Sequence, residues 1–215
     1  MKKFYLLPGL FLTVMLMFSA NVYAQYSGGS GTSSDPYKIA TIDDLIDLSN
    51  TSGDWDKHFI QTANIAFDSD ETQVDWDGDG VLEHGADEDD TYGFAPIGNN
   101  TTNFTGSYDG KHFVINNLYL NKPNSKYNAL FGHINGGKVE NLGLTDVEIN
   151  GATNNNFGST STYDAALAGY IGGNTIITKC YSTGNVTGNS KVGGLIGLSD
   201  NSSTSLSYTT VIVTG

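Results

Sequence analysis

One short phrase returns three times in this chain and limits what it can fold into. Lys191–Gly197 reads KVGGLIG, and Leu130–Phe131–Gly132 and Leu167–Ala168–Gly169 carry the same apolar pair followed by glycine. Each occurrence leads through a Gly/Asn-rich turn and a short β-branched run to a closing glycine. The endings are Ile149–Asn150–Gly151, Val186–Thr187–Gly188 and Val213–Thr214–Gly215. The LxG glycine and the closing glycine lie 18 to 19 residues apart in every case. Self-similarity at a fixed period predicts a solenoid, in which a repeat buries its apolar face only by stacking on its neighbours.

Composition agrees with many short strands. The chain has 27 glycines among 215 residues and only 15% charged residues, which disfavours an α-rich fold. Its net charge is −13, with ten lysines and no arginine. No basic stripe exists to contact phosphates, so nucleic-acid binding is excluded, and docking on an anionic membrane surface is disfavoured.

Residues 1–24 read as a bacterial secretory signal. Lys2 and Lys3 form the charged start, Phe4–Phe18 the apolar core, and Val22-Tyr23-Ala24 the cleavage site. The expected mature protein is secreted or displayed on the cell surface, with no membrane insertion after cleavage. Residues 25–34 are Gly/Ser-rich and predict a flexible lead. Residues 35–215 then form a single β domain.

Within that domain Tyr37–Ile39 predicts a strand. Thr41–Ser49 predicts the one helix, with Thr41 as N-cap, Asp43 and Asp44 in the first turn, and Ile42, Leu45, Ile46 and Leu48 on one face. Residues 35–67 are therefore expected to cap the first turn of the solenoid, covering its open core and strand edges. His58–Phe67, Phe94–Ile97, Tyr108 and Phe113–Leu120 read as strands, and Ala152–Tyr163 as an exposed Asn/Ser/Thr-rich insertion.

The VGGLIG of Val192–Gly197 (Gly193, Gly194, Leu195, Ile196 and Gly197 within it), together with CYSTGNVTG at Cys180–Gly188, resembles the GLUG repeat of bacterial secreted and surface proteins. FTGSYDGKHFVINNLYL at Phe104–Leu120 resembles the segment that precedes such repeats. The resemblance covers residues 92–215, with a looser match over Asp35–Phe67. Gly132 and Gly169 take the place of Gly197 in the earlier repeats. The resemblance implies a right-handed parallel β-helix. It implies no activity, because these repeats serve as spacers or stalks in adhesin-like proteins and also lie beside peptidase domains.

The sharpest chemical feature interrupts the repeats. Between Asp68 and Asp90 lie eleven of the 23 carboxylates, in an insertion expected over 68–91. Its core, Asp75-Trp-Asp77-Gly-Asp79-Gly80, lets three carboxylates converge while glycine permits the sharp turn, an arrangement of hard oxygen donors that suits Ca²⁺. The twelfth position of an EF-hand-type loop is Ala86. The expected site is therefore a DxDxDG loop of Asp75, Asp77 and Asp79, closed by Glu83, Asp87 or Asp89.

No catalytic set emerges. His58, His84, His112 and His133 form no HExxH or other metal spacing, which excludes a zinc peptidase of that type. Outside the acidic loop Asp109, Asp146, Glu148 and Asp164 are scattered, and Asp109 sits in a Tyr-Asp-Gly turn. Cys180 is the only cysteine, and Ser207 replaces it in the next repeat, which marks a packing slot. Tyr127, Tyr163 and Tyr170 are candidates for stacking on sugars. The sequence thus predicts a non-catalytic, adhesin-like module whose partner is an extracellular glycan or a host or matrix protein. A carbohydrate-active β-helix enzyme and a spacer of a longer surface protein stand as alternatives. The stop at Gly215, on a repeat boundary without a capping segment, predicts a longer native protein.

Overall fold

The computed structural model describes residues 25–67, 92–151 and 161–215. Residues 1–24, 68–91 and 152–160 lie outside them. With them lie the metal candidates Asp75, Asp77, Asp79, Glu83 and Asp87.

The described chain is almost entirely β and returns to the same sheets in the same order. It begins with β1 (Tyr37–Ile39) and α1 (Ile42–Asn50), and continues through β2 (His58–Gln61), β3 (Ile65–Ala66) and β4 (Tyr92–Gly93). The next pass is β5 (Ser107–Asp109), β6 (Val114–Asn116), β7 (Tyr119–Asn121), β8 (Tyr127–Asn128) and β9 (Phe131–Asn135). Then come β10 (Lys138–Glu140), β11 (Gly143–Asn150), β12 (Tyr163–Ala165) and β13 (Ala168–Gly172). A further pass is β14 (Ile176–Thr178), β15 (Tyr181–Thr187), β16 (Lys191–Gly193) and β17 (Ile196–Ser199), and the chain ends in β18 (Ser203–Ser205) and β19 (Tyr208–Thr214).

These strands assemble into four sheets. The first is ordered β1-β2-β5-β10-β14-β18. The second runs β3-β6-β11-β15-β19, with β7 and β4 joined at its side. The third is β8-β12-β16 and the fourth β9-β13-β17. Strand pairing is parallel except between β4 and β7. From Lys138 to Ser199 each pass thus has four strands, one in each sheet, a number that the repeats alone do not give.

Register-matched side chains point inward together. In the first sheet Phe59, Tyr108, Val139 and Ile177 form one row, each at most 1% exposed. In the second, Leu120, Ile149 and Val186 form another, all fully buried. Burying such a side chain contributes roughly 1.5–3 kcal/mol, and the rows join in one apolar core.

The predicted helix forms one residue later, at Ile42–Asn50, with Thr41 as its N-cap. Asp44 closes a capping box: its NH bonds the Thr41 side chain, and its carboxylate accepts from the Thr41 NH at 3.0 Å. The same carboxylate accepts from the Ala40 NH and the Ser27 hydroxyl, both at 2.7 Å. Sequence reading saw Asp44 only as a first-turn acid.

The structure corrects several local expectations. Residues 25–34 are docked, not a free lead: Ser27 NH donates to Lys38 O, Lys38 NH to Gly28 O, and His58 NH to Gly31 O, while Tyr26 is buried. This pairing covers the outer edge of β1. His58–Phe67 and Phe113–Leu120 are each divided between two strands; in the latter, Asn117 takes a left-handed φ of 57° between β6 and β7. Phe94–Ile97 is not a strand but carries an isolated bridge from Ile97 to Phe131. The insertion ends before Thr162, which is buried, and Tyr163 begins β12.

Candidate functional site

The recurring LxG glycines mark one corner in three successive passes. Gly132, Gly169 and Gly197 sit where the third sheet meets the fourth, each at or next to the start of β9, β13 or β17. A Cβ on Gly169 would lie 2.8 Å from Tyr163 O and 2.9 Å from Gly132 O. One on Gly197 would meet Gly169 O at 2.7 Å, and one on Gly132 would meet Gly98 O at 2.4 Å. The glycine is required by close backbone approach, because none of the three has a left-handed φ. Gly193 and Gly194 are tight as well, against Ile196 O and the Thr209 side chain, and Leu195 is buried between them and Ile196. The repeat residues are therefore architectural.

What the corner presents outward is chemical. Tyr127, Tyr163 and Lys191 are in register on the third sheet, and His133, Tyr170 and Leu198 on the fourth. The Tyr127 and Tyr163 rings stack with centroids 5.1 Å apart and planes 10° apart. Tyr170 meets the edge of Tyr163 at 5.6 Å and of His133 at 4.5 Å, and Tyr127 lies 5.5 Å from His133. The three tyrosines named from sequence thus form one cluster, and His133, which carried no signal for it, completes it. Tyr127 is 8% exposed, so it supports the others, whereas Tyr163, Tyr170 and His133 are half-buried.

Lys126 Nζ sits 5.5 Å from the centroid of Tyr127 and 5.6 Å from that of Tyr163, within cation–π range. Burial, then the Lys126 charge, hold the His133 imidazole below its ordinary pKa, so the ring is neutral at pH 7. Its Nδ1 is buried without a hydrogen-bond partner. The Tyr170 hydroxyl donates to Asp200 Oδ2 at 3.1 Å; burial and this carboxylate raise the phenol pKa.

Behind this surface lies a buried polar pair. Asn128 and Asp164 face inward on β8 and β12, in register with Val192, and Asn128 Nδ2 donates to Asp164 Oδ1 at 2.6 Å. The carboxylate fits between the closing glycines: a Cβ on Gly151 would lie 2.1 Å from Oδ1, and one on Gly188 2.3 Å from Oδ2. Burial raises the Asp164 pKa against the opposing contributions of Asn128, Thr162 and the Asn189 backbone. The closing glycines of the repeat therefore make room for a buried acid.

The other acids fall elsewhere. On the outer face of the first sheet Asp109 and Glu140 are register neighbours, as are Ser107 and Lys138, and His58 Nδ1 is 2.7 Å from Ser107 Oγ. Lys111 pairs with Asp109 at 2.9 Å, and Lys138 pairs with Glu140. Burial opposes the Asp109 charge, but hydrogen bonds from Asn141 and Lys111 outweigh it and hold the carboxyl below the usual range. The Lys111 NH bond to Asp109 Oδ1 is the turn expected from Tyr-Asp-Gly. Asp146 and Glu148 are exposed on β11. Cys180 is 1% exposed, its NH bonds Ser207 Oγ, and burial pushes its thiol up to about 11, as a packing residue requires. Among the described residues no three His, Cys, Asp or Glu side chains gather as a metal site, and no helix is long and apolar enough to cross a membrane.

No family model matches the chain. It is 30% identical over 178 residues to Halomucin of Haloquadratum walsbyi, a match spanning 80% of this chain and 2% of that protein. It is 31% identical over 143 residues to a protein of Evansella cellulosilytica provisionally named a Gly-rich membrane protein, spanning 62% of this chain and 15% of the other. A crystal structure from Bacteroides ovatus, provisionally described as an immunoglobulin A1 protease, superposes with a TM-score of 0.63 over 87% of this chain and 50% of that one, at 20% identity. That likeness speaks to fold alone. The chain spans a small fraction of its curated relatives and half of the solved structure.

Proposed function

We infer that the chain is a surface-associated, non-catalytic binding module. It is built as a right-handed parallel β-helix of GLUG-type repeats and recognises an extracellular glycan. The observation that carries this reading is the aromatic corner: Tyr163, Tyr170 and His133 from separate strands converge, half-buried, above a supporting Tyr127. Aromatic rings with polar tips suit saccharides, which present CH faces and hydroxyls together. Four sheets of in-register parallel strands, with LxG glycines at a shared corner, support the β-helix. The leader-like residues 1–24 and the names of the two relatives support secretion or surface display. Asp75, Asp77, Asp79, Glu83 and Asp87 supply a stabilising Ca²⁺ loop in this reading.

The test is retention of the secreted chain on a panel of polysaccharides and matrix proteins, in Ca²⁺ and in chelator, with release of new chain ends recorded in parallel. Retention by a glycan without cleavage, reduced at least about tenfold by Tyr163→Ala with Tyr170→Ala, is the expected result. Retention by matrix proteins alone would sink the glycan reading.

One observation favours a second reading, a carbohydrate-active enzyme. Asp109 and Glu140 lie side by side, half-buried, on the outer face of the first sheet, Lys111 paired with the one and Lys138 with the other. New reducing or unsaturated ends that vanish with Glu140→Gln would establish it.

A further inference from the structure

The corner carries an electrostatic asymmetry that narrows the ligand, on the premise that the glycan reading above holds. Three of the eight described lysines pair with an acid: Lys57, Lys111 and Lys138. Lys126 and Lys191 make no such pair with a described carboxylate, and both are at the aromatic corner. Lys191 follows Tyr127 and Tyr163 along one register row, and Lys126 lies against both of those rings. Asp164 is buried behind the third sheet against Asn128, and the acid on the corner's outer surface, Asp200, is held at the other side by the Tyr170 hydroxyl. The cluster thus has a cationic side on the third sheet and an acidic side beyond the fourth, with rings between.

We propose that the corner binds a carboxylated saccharide, with its carboxylate toward Lys126 and Lys191 and its hydroxyl-bearing edge toward Tyr170 and Asp200. A carboxylate supplies the counter-charge that the two lysines lack, and a partly desolvated ammonium over aromatic rings pairs with an anion more strongly than one in open water. The half-buried His133 ring lines the same surface through its edge against Tyr170, with its Nδ1 turned away from solvent. Asp200 repels the carboxylate from the far side, which fixes orientation through repulsion as well as attraction.

Two sources share this chemistry, uronic-acid polymers and sialic-acid-terminated glycans. The full secreted chain is titrated with an oligouronate and with a sialylated oligosaccharide, each beside its carboxyl-reduced neutral counterpart. The acidic form of one or both binds about tenfold or more tighter than its neutral counterpart, the worth of roughly one charge-assisted hydrogen bond. The preference falls as salt rises. Lys126→Met with Lys191→Met abolishes the preference while keeping the residual affinity for the neutral form, and the two arginine replacements restore it. Whichever acidic series is held names the source. Equal affinity for acidic and neutral forms overturns the proposal and leaves the glycan reading standing. Failure to bind either form overturns both. Circular dichroism of each variant separates a lost contact from a lost fold.

Discussion

Leu206 and Gly169 show the two ways in which a single residue meets this backbone. Asn141, Lys179 and Leu206 occupy equivalent turns between the first and second sheets, with φ of 53°, 54° and 50°. Asparagine tolerates that left-handed region, and a leucine there costs about 1–2 kcal/mol. Leu206 is also 78% exposed, so its side chain offers little packing in return. Leu206→Asn should therefore raise the denaturation midpoint, by roughly 0.5–1 kcal/mol of stability. Gly169→Ala should do the opposite, costing about 1–3 kcal/mol, since its methyl group would press on two backbone carbonyls. Urea melts of both variants check the signs, and a neutral Gly169→Ala would mean the corner is looser than its contacts imply. Asp164 adds a pH dependence. Its folded pKa lies above the ordinary carboxylate value, so the folded chain holds its proton more tightly than the unfolded chain does. Its contribution is fully present below the unfolded pKa, about 3.9, and is lost as pH rises through the raised folded value. Asp164→Asn should flatten that segment of the stability–pH curve, and an unchanged slope would argue against a shifted Asp164.

At the scale of elements, what could be read from sequence was what local chemistry enforces. The Thr41 cap and apolar face gave α1 to within one residue, because a capping box and a 3.6-residue period are local signals. Cys180 and Ser207 were placed in one slot by repeat alignment, and Tyr181 and Tyr208 do stack at 5.3 Å. Long strands were harder. His58–Phe67 alternates well enough for one strand, yet a parallel stack must turn corners, so it divides between two sheets. Nothing in that decapeptide encodes the corner; its neighbours in space do. The docking of residues 25–34 was missed for the same reason. Gly/Ser composition suggests freedom, but Tyr26 packs on Tyr37 and Phe59, at 4.6 and 5.7 Å between centroids, and anchors the segment. At the candidate site the three tyrosines were nameable, but their convergence with His133 and Lys126 depends on registers between strands 36 to 37 residues apart. The inward turn of Asp164 was not legible either, since its glycine partners lie at the ends of other strands.

At the scale of the molecule, burial declines along the stack. On the first sheet Val139 and Ile177 are fully buried while their register partner Thr204 is exposed. On the second, Val186 is fully buried and its partner Val213 is 46% exposed. The same residue type in the same row of the same sheet thus occupies two environments, one on a strand paired on both sides and one on the sheet's edge strand. That pair makes a clean measure of what stacking contributes. Val186→Ala removes two buried carbon groups and leaves a cavity, at a cost of about 2 kcal/mol. Val213→Ala removes groups already half in water and should cost under about 1 kcal/mol. Chemical denaturation at several protein concentrations reads both values. A gap of this size at every concentration would mean that Val213 faces solvent in the isolated chain. Equal costs that diverge on dilution would mean that another copy covers β19 in solution, because an association that buries Val213 would restore the missing contacts and make the apparent stability concentration-dependent.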